Sequence, residues 1–244
     1  MMKDNEFPSW MERTVQLLGP EKMQRLQQSH VLVAGLGGVG SVAAESLARA
    51  GVGEFTIIDN DQIQASNINR QIPALHSTIG KSKTSVMEER LRDINPDIKI
   101  HAHQYYINEE TLDELLSTNF DHIVDAIDTL TPKILFIERV RKRGMSLASS
   151  MGSAGKLDPT KIKIADFKKT YNCRLAYLLR KKLRKMEIIG GFRVVFSTEL
   201  IDKSLILPAE NEQNKKSILG TVSYIPSIFG NMLASIVIED ISSK

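Results

Sequence analysis

His30 to Gln71 reads HVLVAGLGGVGSVAAESLARAGVGEFTIIDNDQIQASNINRQ, and this stretch decides the fold. An apolar, β-branched run (His30–Ala34) enters Gly-Leu-Gly-Gly-Val-Gly. A helical pattern follows near Val39–Ala50, then a second apolar run, Glu54–Asp59, that ends in an acid. Strand, glycine turn, helix, strand is the opening unit of a nucleotide-binding sheet. Gly35 permits the tight turn, Gly37 and Gly38 let backbone approach phosphate oxygens, and Gly40 lets the helix lie close to the sheet. Amides at the helix amino terminus supply partial positive charge. Asp59, with Asp61 just beyond it, is placed to bind ribose hydroxyls. Alone, the turn says adenine nucleotide and does not separate NAD from ATP.

Outward from this unit the same alternation continues. Further strands are expected at Ile98–His103, His122–Asp125 and Ser146–Ser149, and helices near Gly80–Asn95, Glu109–Thr118 and Pro132–Arg143. Helical pieces at Trp10–Leu18 and Pro20–Gln28 precede the first strand. The pattern predicts an α/β fold: a Rossmann-like, mostly parallel sheet with helices on both faces. After about residue 150 come strands at Lys161–Phe167 and Phe192–Thr198 with a basic helix, Cys173–Lys185, between them. The expectation is one domain over 1–244, with a nucleotide-binding half to about 150 and an elaborated C-terminal part with additional strands. Residues 209–217, AENEQNKKS, are the most polar stretch and read as a loop.

The totals exclude some classes. The chain has 244 residues, 42% hydrophobic and 25% charged, with a net charge of +3. A single cysteine, Cys173, can form no internal disulfide, and no Cys-x-x-Cys pair exists to hold zinc. The uncharged run 217–238 contains Gly220, Pro226, Gly230 and Asn231. It reads as a strand or loop followed by a core helix, with no dense apolar stretch long enough for a bilayer. The expectation is a soluble, cytoplasmic protein without stable membrane association.

The second half of the opening stretch asks for different chemistry from the first. Asn67, Arg70 and Gln71 follow the acid, and Lys83 lies in GKSKTS. A hydride-transfer enzyme holds its pyrophosphate mainly by backbone amides and has no use for these cations. A triphosphate whose charge grows on a leaving pyrophosphate does, because Arg offers bidentate contacts and Lys a movable point charge. HIVDAIDTLTPK ends a strand with Asp125 and Asp128, carboxylates beside the crevice that could hold magnesium.

The motifs ERTVQLLG, GLGGVGS, IIDNDQIQASNINRQ, GKSK, INPD and DAIDT resemble the ubiquitin-activating-enzyme-like adenylyltransferases, the ThiF/MoeB group, over about Trp10 to Ile238. The resemblance implies ATP and Mg²⁺ as cofactors. It implies that Asp59 binds ribose, that Asn67, Arg70 and Lys83 surround the phosphates, and that Asp128 coordinates magnesium. It also implies a homodimer in which Arg13 reaches the phosphates from the partner subunit. Arg13, Arg70, Lys83 and Asp128 are then the catalytic set. These enzymes make a carboxylate reactive by joining it to AMP and differ in what attacks next. Cys173 sits in a basic helix and reads poorly as a nucleophile.

NRQIPALHSTIGKSK, GSAGKLDPTKIKIADFKKT and FSTE look like one branch in particular, the dehydratases of threonylcarbamoyladenosine in tRNA. There the substrate's own carbamoyl group closes a ring, so no enzyme nucleophile is needed. That branch sometimes works with a sulfur-relay protein. A tRNA partner demands cations, and 168–185, KKTYNCRLAYLLRKKLRK, carries eight basic residues and no acid. Helical spacing makes Leu175, Leu179, Leu183 and Met186 the buried stripe. Lys168, Lys169, Arg174, Arg180, Lys181, Lys182, Arg184 and Lys185 are the candidate RNA contacts. ERVRKRG at 138–144 extends the patch. Two other readings stay open: activation of a ubiquitin-like sulfur carrier's C-terminus, and an NAD-dependent oxidoreductase, which would leave Arg70, Lys83 and Asp128 idle.

Overall fold

A computed structural model describes residues 7–202, 204, 206–208 and 217–243. The expected loop 209–217 therefore lies outside the described residues except for Ser217. Two helices, α1 (Glu12–Leu18) and α2 (Pro20–Gln28), lead into β1 (His30–Ala34), α3 (Gly40–Arg49) and β2 (Glu54–Ile58). Then come α4 (Lys83–Ile94), β3 (Lys99–His103), α5 (Glu109–Leu115), β4 (His122–Asp125), α6 (Leu130–Lys142) and β5 (Leu147–Ser150). The chain continues through β6 (Ile162–Asp166), α7 (Arg174–Leu183) and β7 (Arg193–Ser197) to a small ribbon, β8 (Ile206–Pro208) and β9 (Ser217–Leu219), and ends in α8 (Tyr224–Ser242).

Seven strands form one sheet in the order β3-β2-β1-β4-β5-β7-β6. All neighbours are parallel except β6, which runs antiparallel to β7. Each strand is too short to be stable alone; two apolar faces and flanking helices hold it. Alternation divides the core. Val31 and Val33 face α2, α3, α4 and α8, with Met23, Leu47, Met87 and Phe229 in the same cluster. Leu32 and Ala34 face α5, α6 and α7, with Leu112, Phe136 and Leu179. Between β1 and β4 the connections turn away in opposite directions, opening a crevice beyond their carboxyl ends.

The run 217–238 resolves into β9 and most of α8. By length and mean hydropathy α8 is long and apolar enough to cross a bilayer, contrary to the expectation from its glycines and proline. Here it is a core helix, with Ile225, Phe229, Leu233, Ile236 and Val237 buried. Pro226 falls in the first turn, where no intrahelical N–H bond is lost. Gly230 is needed for proximity: a Cβ there would stand 2.5 Å from the Val39 carbonyl oxygen. Helix α8 thus closes directly on the start of α3.

Candidate active site

The glycine turn works as four separate positions. Gly35 has φ +89°, and a Cβ on it would meet the Ala126 carbonyl oxygen at 2.8 Å. A Cβ on Gly40 would lie 1.8 Å from the Gly35 oxygen, so this glycine lets the turn fold back on itself. Gly38 is expected from the sequence to free space for phosphate. That space is already used, because a Cβ would strike the Arg70 carbonyl oxygen at 2.8 Å and Pro226 Cβ at 3.0 Å. Gly37 alone faces open room, with only Gln71 Nε2 at 3.8 Å. Of the four positions, Gly37 has the most room for a side chain, so it is the one where a glycine is not explained by packing.

Asp59 leaves β2 and is tied to the turn. Its carboxylate accepts from the Leu36 N–H at 2.7 Å and from the Asp61 N–H at 2.8 Å. Burial holds the Asp59 carboxyl above its ordinary value, with the Lys83 charge and the two N–H donors pulling the other way. Lys83, the first residue of α4 and buried, donates to Asp61 Oδ2 at 2.7 Å and stands 3.7 Å from Asp59 Oδ1. The connection between them closes on itself, with the Ile63 N–H donating to the Lys81 carbonyl and the Gly80 N–H to that of Ile63.

Over the turn lies a short 3-10 segment, Ala65–Asn67, with the residues after it. Asn67 Oδ1 accepts from the Gln64 N–H, so this side chain shapes the segment locally. Arg70 Nη1 donates to the Ser66 carbonyl at 2.9 Å and to Asn69 Oδ1 at 2.8 Å. Gln71 is buried, and its Oε1 has no hydrogen-bond partner among the described residues. A buried acceptor left unpaired beside the one open glycine of the turn is costly unless a ligand donates to it.

The expectation for Asp125 is corrected. The sequence offers it with Asp128 as a magnesium candidate, but its carboxylate is wholly buried and occupied. Lys133 Nζ stands 2.7 Å from Oδ2 with both side chains fully buried, Ser149 Oγ donates to Oδ2 at 2.6 Å, and the Ile127 N–H donates to Oδ1 at 3.1 Å. Lys133 also donates to the Ile127 carbonyl at 3.0 Å. Burial lowers the Lys133 pKa, opposed chiefly by Asp125. This pair sets the loop that carries Asp128, which is itself exposed at the crevice. Lys133 and Ser149 received no role from the sequence. The signal was present: an acid that directly follows the apolar pair Ile123–Val124 at a strand's end needs a cation nearby if it is buried.

Arg13 is not brought to this crevice. It is exposed on α1, and Met11 just before that helix packs against Gly51, at the carboxyl end of α3. The glycine turn opens the other end of α3, which has ten residues and is about 15 Å long. Beyond β5, Lys156 is buried and donates to the Glu199 carbonyl, while the Glu199 carboxylate accepts from the Leu157 and Asp158 N–H groups. Lys156 lies in GSAGKLDPTKIKIADFKKT and Glu199 in FSTE, and neither had a role of its own in the sequence.

The basic segment differs in detail from its helical reading. α7 ends at Leu183 and tightens into a 3-10 turn, Arg184–Met186. The buried stripe is Ala176, Leu179 and Leu183; Leu175 is half-buried and Met186 is exposed. Lys168, Lys169, Arg174, Lys181, Lys182, Arg184 and Lys185 are exposed. Arg180 departs from the rest: it is half-buried and donates to Thr170 Oγ1. Cys173 is buried at the amino end of α7.

Known proteins resemble this chain in sequence and fold. A Bacillus subtilis protein named tRNA threonylcarbamoyladenosine dehydratase is 38% identical over 92% of this chain and 91% of its own length. A Haemophilus influenzae protein of the same name is 36% identical over 93% and 91%. The crystal structure of E. coli tRNA N6-threonylcarbamoyladenosine dehydratase, TcdA, in complex with ATP superposes with TM-score 0.86 at 31% identity, covering 100% of this chain and 97% of that one. The E. coli MccB structure with ATP shares the fold at TM-score 0.64 and 19% identity. The model of the ThiF family matches residues 11–244, and the chain belongs to that family.

Proposed function

We propose that the protein is an ATP-dependent dehydratase that adenylates the threonine carboxylate of N6-threonylcarbamoyladenosine in tRNA and allows ring closure to the cyclic form. The observation that carries this reading is two-way coverage above nine-tenths, at 36–38% identity, with bacterial proteins of that name. A carboxylate oxygen attacks the α-phosphorus of ATP, and pyrophosphate leaves. The carbamoyl group of the same nucleoside then attacks the acyl carbon, and AMP leaves. The sum is loss of one water from the base, its oxygen retained on AMP. The second step is intramolecular, so proximity supplies the effective concentration that an enzyme nucleophile would otherwise provide.

The chain's own residues divide the work. Asp59 takes the ribose hydroxyls and Gln71 Oε1 gains the donor it lacks. The backbone at Gly37 and the amino end of α3 receive phosphate oxygens. Arg70 and Lys83 exchange their present partners, Asn69 and Asp61, for the phosphates, gripping hardest as charge builds on the leaving pyrophosphate. Asp128 would hold magnesium; one exposed carboxylate completed by phosphate oxygens is a donor set that suits this ion. When bound, the ion neutralises charge on the triphosphate. Asp125, engaged with Lys133, takes no part in that.

Arg13 lies away from its own crevice, which supports a homodimer in which it serves the crevice of the other subunit. The exposed cations from Lys168 to Lys185 receive the tRNA backbone through counterion release. A sulfur-relay protein is a further proposed partner. The test is pyrophosphate and AMP release with tRNA that carries the modified base, alongside a mass loss of one water in its nucleoside. Equal release with unmodified tRNA would refute the reading. An AMP adduct on a ubiquitin-like sulfur carrier, with no turnover on tRNA, would move the activity to protein-carrier activation.

A further inference from the structure

Away from the crevice, at the opposite end of the sheet, two histidines and a glutamate converge. His30 begins β1, Glu54 begins β2 beside it in register, and His101 lies on β3 opposite Thr56. All three side chains project from the face that carries α5, because strand alternation sets them with Leu32, Thr56 and His103. His101 Nε2 is 2.9 Å from Glu54 Oε1, His30 Nδ1 is 3.7 Å from the same oxygen, and one ligand atom from each residue lies within 4.8 Å of the other two.

We infer that His30, Glu54 and His101 form a binding site for a divalent transition metal of the zinc class, independent of the adenylating centre. A tetrahedral ion with bonds of about 2.0–2.1 Å needs ligand atoms about 3.4 Å apart. The two measured separations bracket that value, so small side-chain rotations complete the triangle. Two imidazoles and one carboxylate select zinc, nickel or copper over magnesium and calcium.

The surroundings suit a metal better than an isolated ion pair. His30 Nε2 stands 2.9 Å from Thr56 Oγ1, which orients the ring with Nδ1 toward Glu54. Such an outer hydrogen bond is what metal-bound imidazoles regularly make. Phe120 packs edge-on to the His30 ring at 4.7 Å between centroids, and Asp121 Oδ2 accepts the His30 backbone N–H. The His30 side chain is 13% exposed while that of His101 is 51% exposed. The site is thus anchored on its inner side and open on its outer side, with room for water as the remaining ligand. Because the ligands sit on three adjacent strands, a bound ion clamps edge strand β3 to β2 and β1.

Titrating zinc chloride into the untagged full-length chain tests this by calorimetry, with cobalt absorption reporting the ligand set. One equivalent is expected to bind saturably. At a hundredfold excess over Kd, Tm should rise by about 5–10 °C. His101→Gln and Glu54→Gln should each weaken binding at least tenfold and abolish the cobalt spectrum. Their metal-free Tm and their adenylating activity should stay near those of the parent. Absence of saturable binding, or binding and spectra unchanged in both variants, would overturn the proposal. So would an equal response to magnesium.

Discussion

Replacing Lys133 with Met removes the cation from a pair whose two side chains are wholly buried and 2.7 Å apart. Removing one member of such a pair generally costs about 3–5 kcal/mol, because the other charge is left in low dielectric. Two donors remain for Asp125, Ser149 Oγ at 2.6 Å and the Ile127 N–H at 3.1 Å, so the lower end, about 3 kcal/mol, is expected. In a chain of this size that loss lowers Tm by about 6–12 °C. Lys133 also holds the Ile127 carbonyl, so the loop bearing Asp128 should loosen and ATP–pyrophosphate exchange should fall roughly tenfold to a hundredfold. The assay pairs urea denaturation followed by circular dichroism with exchange at saturating ATP and modified tRNA. Combining Lys133→Met with Asp125→Leu should cost less than the sum of the single changes, since no charge is then stranded. Single substitutions below about 1 kcal/mol that simply add would refute the reasoning.

The glycine turn offers a separation: Gly37→Ala meets only ordinary contacts and should keep its Tm while ATP affinity falls, whereas Gly40→Ala meets backbone and should yield little folded protein, as purification and nucleotide titration will report. Asp128→Ala should abolish ATP turnover and leave a soluble fold, checked by exchange and circular dichroism. Reversing Lys181, Lys182 and Lys185 to Glu should weaken tRNA binding and flatten its salt dependence by about one unit for each phosphate no longer neutralised, with binding of ATP itself untouched. Asp240 is held below its ordinary value first by a hydrogen bond from His122, with Arg193 adding to it. A depressed acid contributes stability at pH above its unfolded value and loses it as pH falls through the folded one. Asp240→Asn should therefore destabilise at pH 7 and converge with the parent below about pH 4, a small effect because the side chain is 40% exposed. Denaturation at several pH values measures it.

Much of the fold was legible because β1 and β4 are apolar runs bounded by clear breaks, and their limits match the expected ones. Helix limits shifted by a few residues where capping decides them, as at Lys83, which follows a turn pinned by Asp61. Strand order and the antiparallel run of β6 were not readable, since alternation carries no record of pairing. The site was legible where chemistry is local, as in the glycine turn with Asp59. It was misread where the partner comes from afar: Asp125 looked available until α6 delivered Lys133. His30, Glu54 and His101 are each ordinary in the sequence, and only β-sheet register brings them together. The stripe starts at Ala176 (i, i+3, i+7) and not at Leu175 (i, i+4, i+8); both spacings satisfy the helical period, and only packing selects between them.

The close approach of Gly230 to Val39 ties the last helix to the first nucleotide-binding turn. During synthesis the glycine turn leaves the ribosome early, but its covering helix is still unmade. The nucleotide pocket therefore matures only once α8 has emerged, and a ribosome-stalled chain ending before α8 should not retain ATP. A truncation that removes α8 should therefore harm nucleotide binding as a lesion in the phosphate turn would.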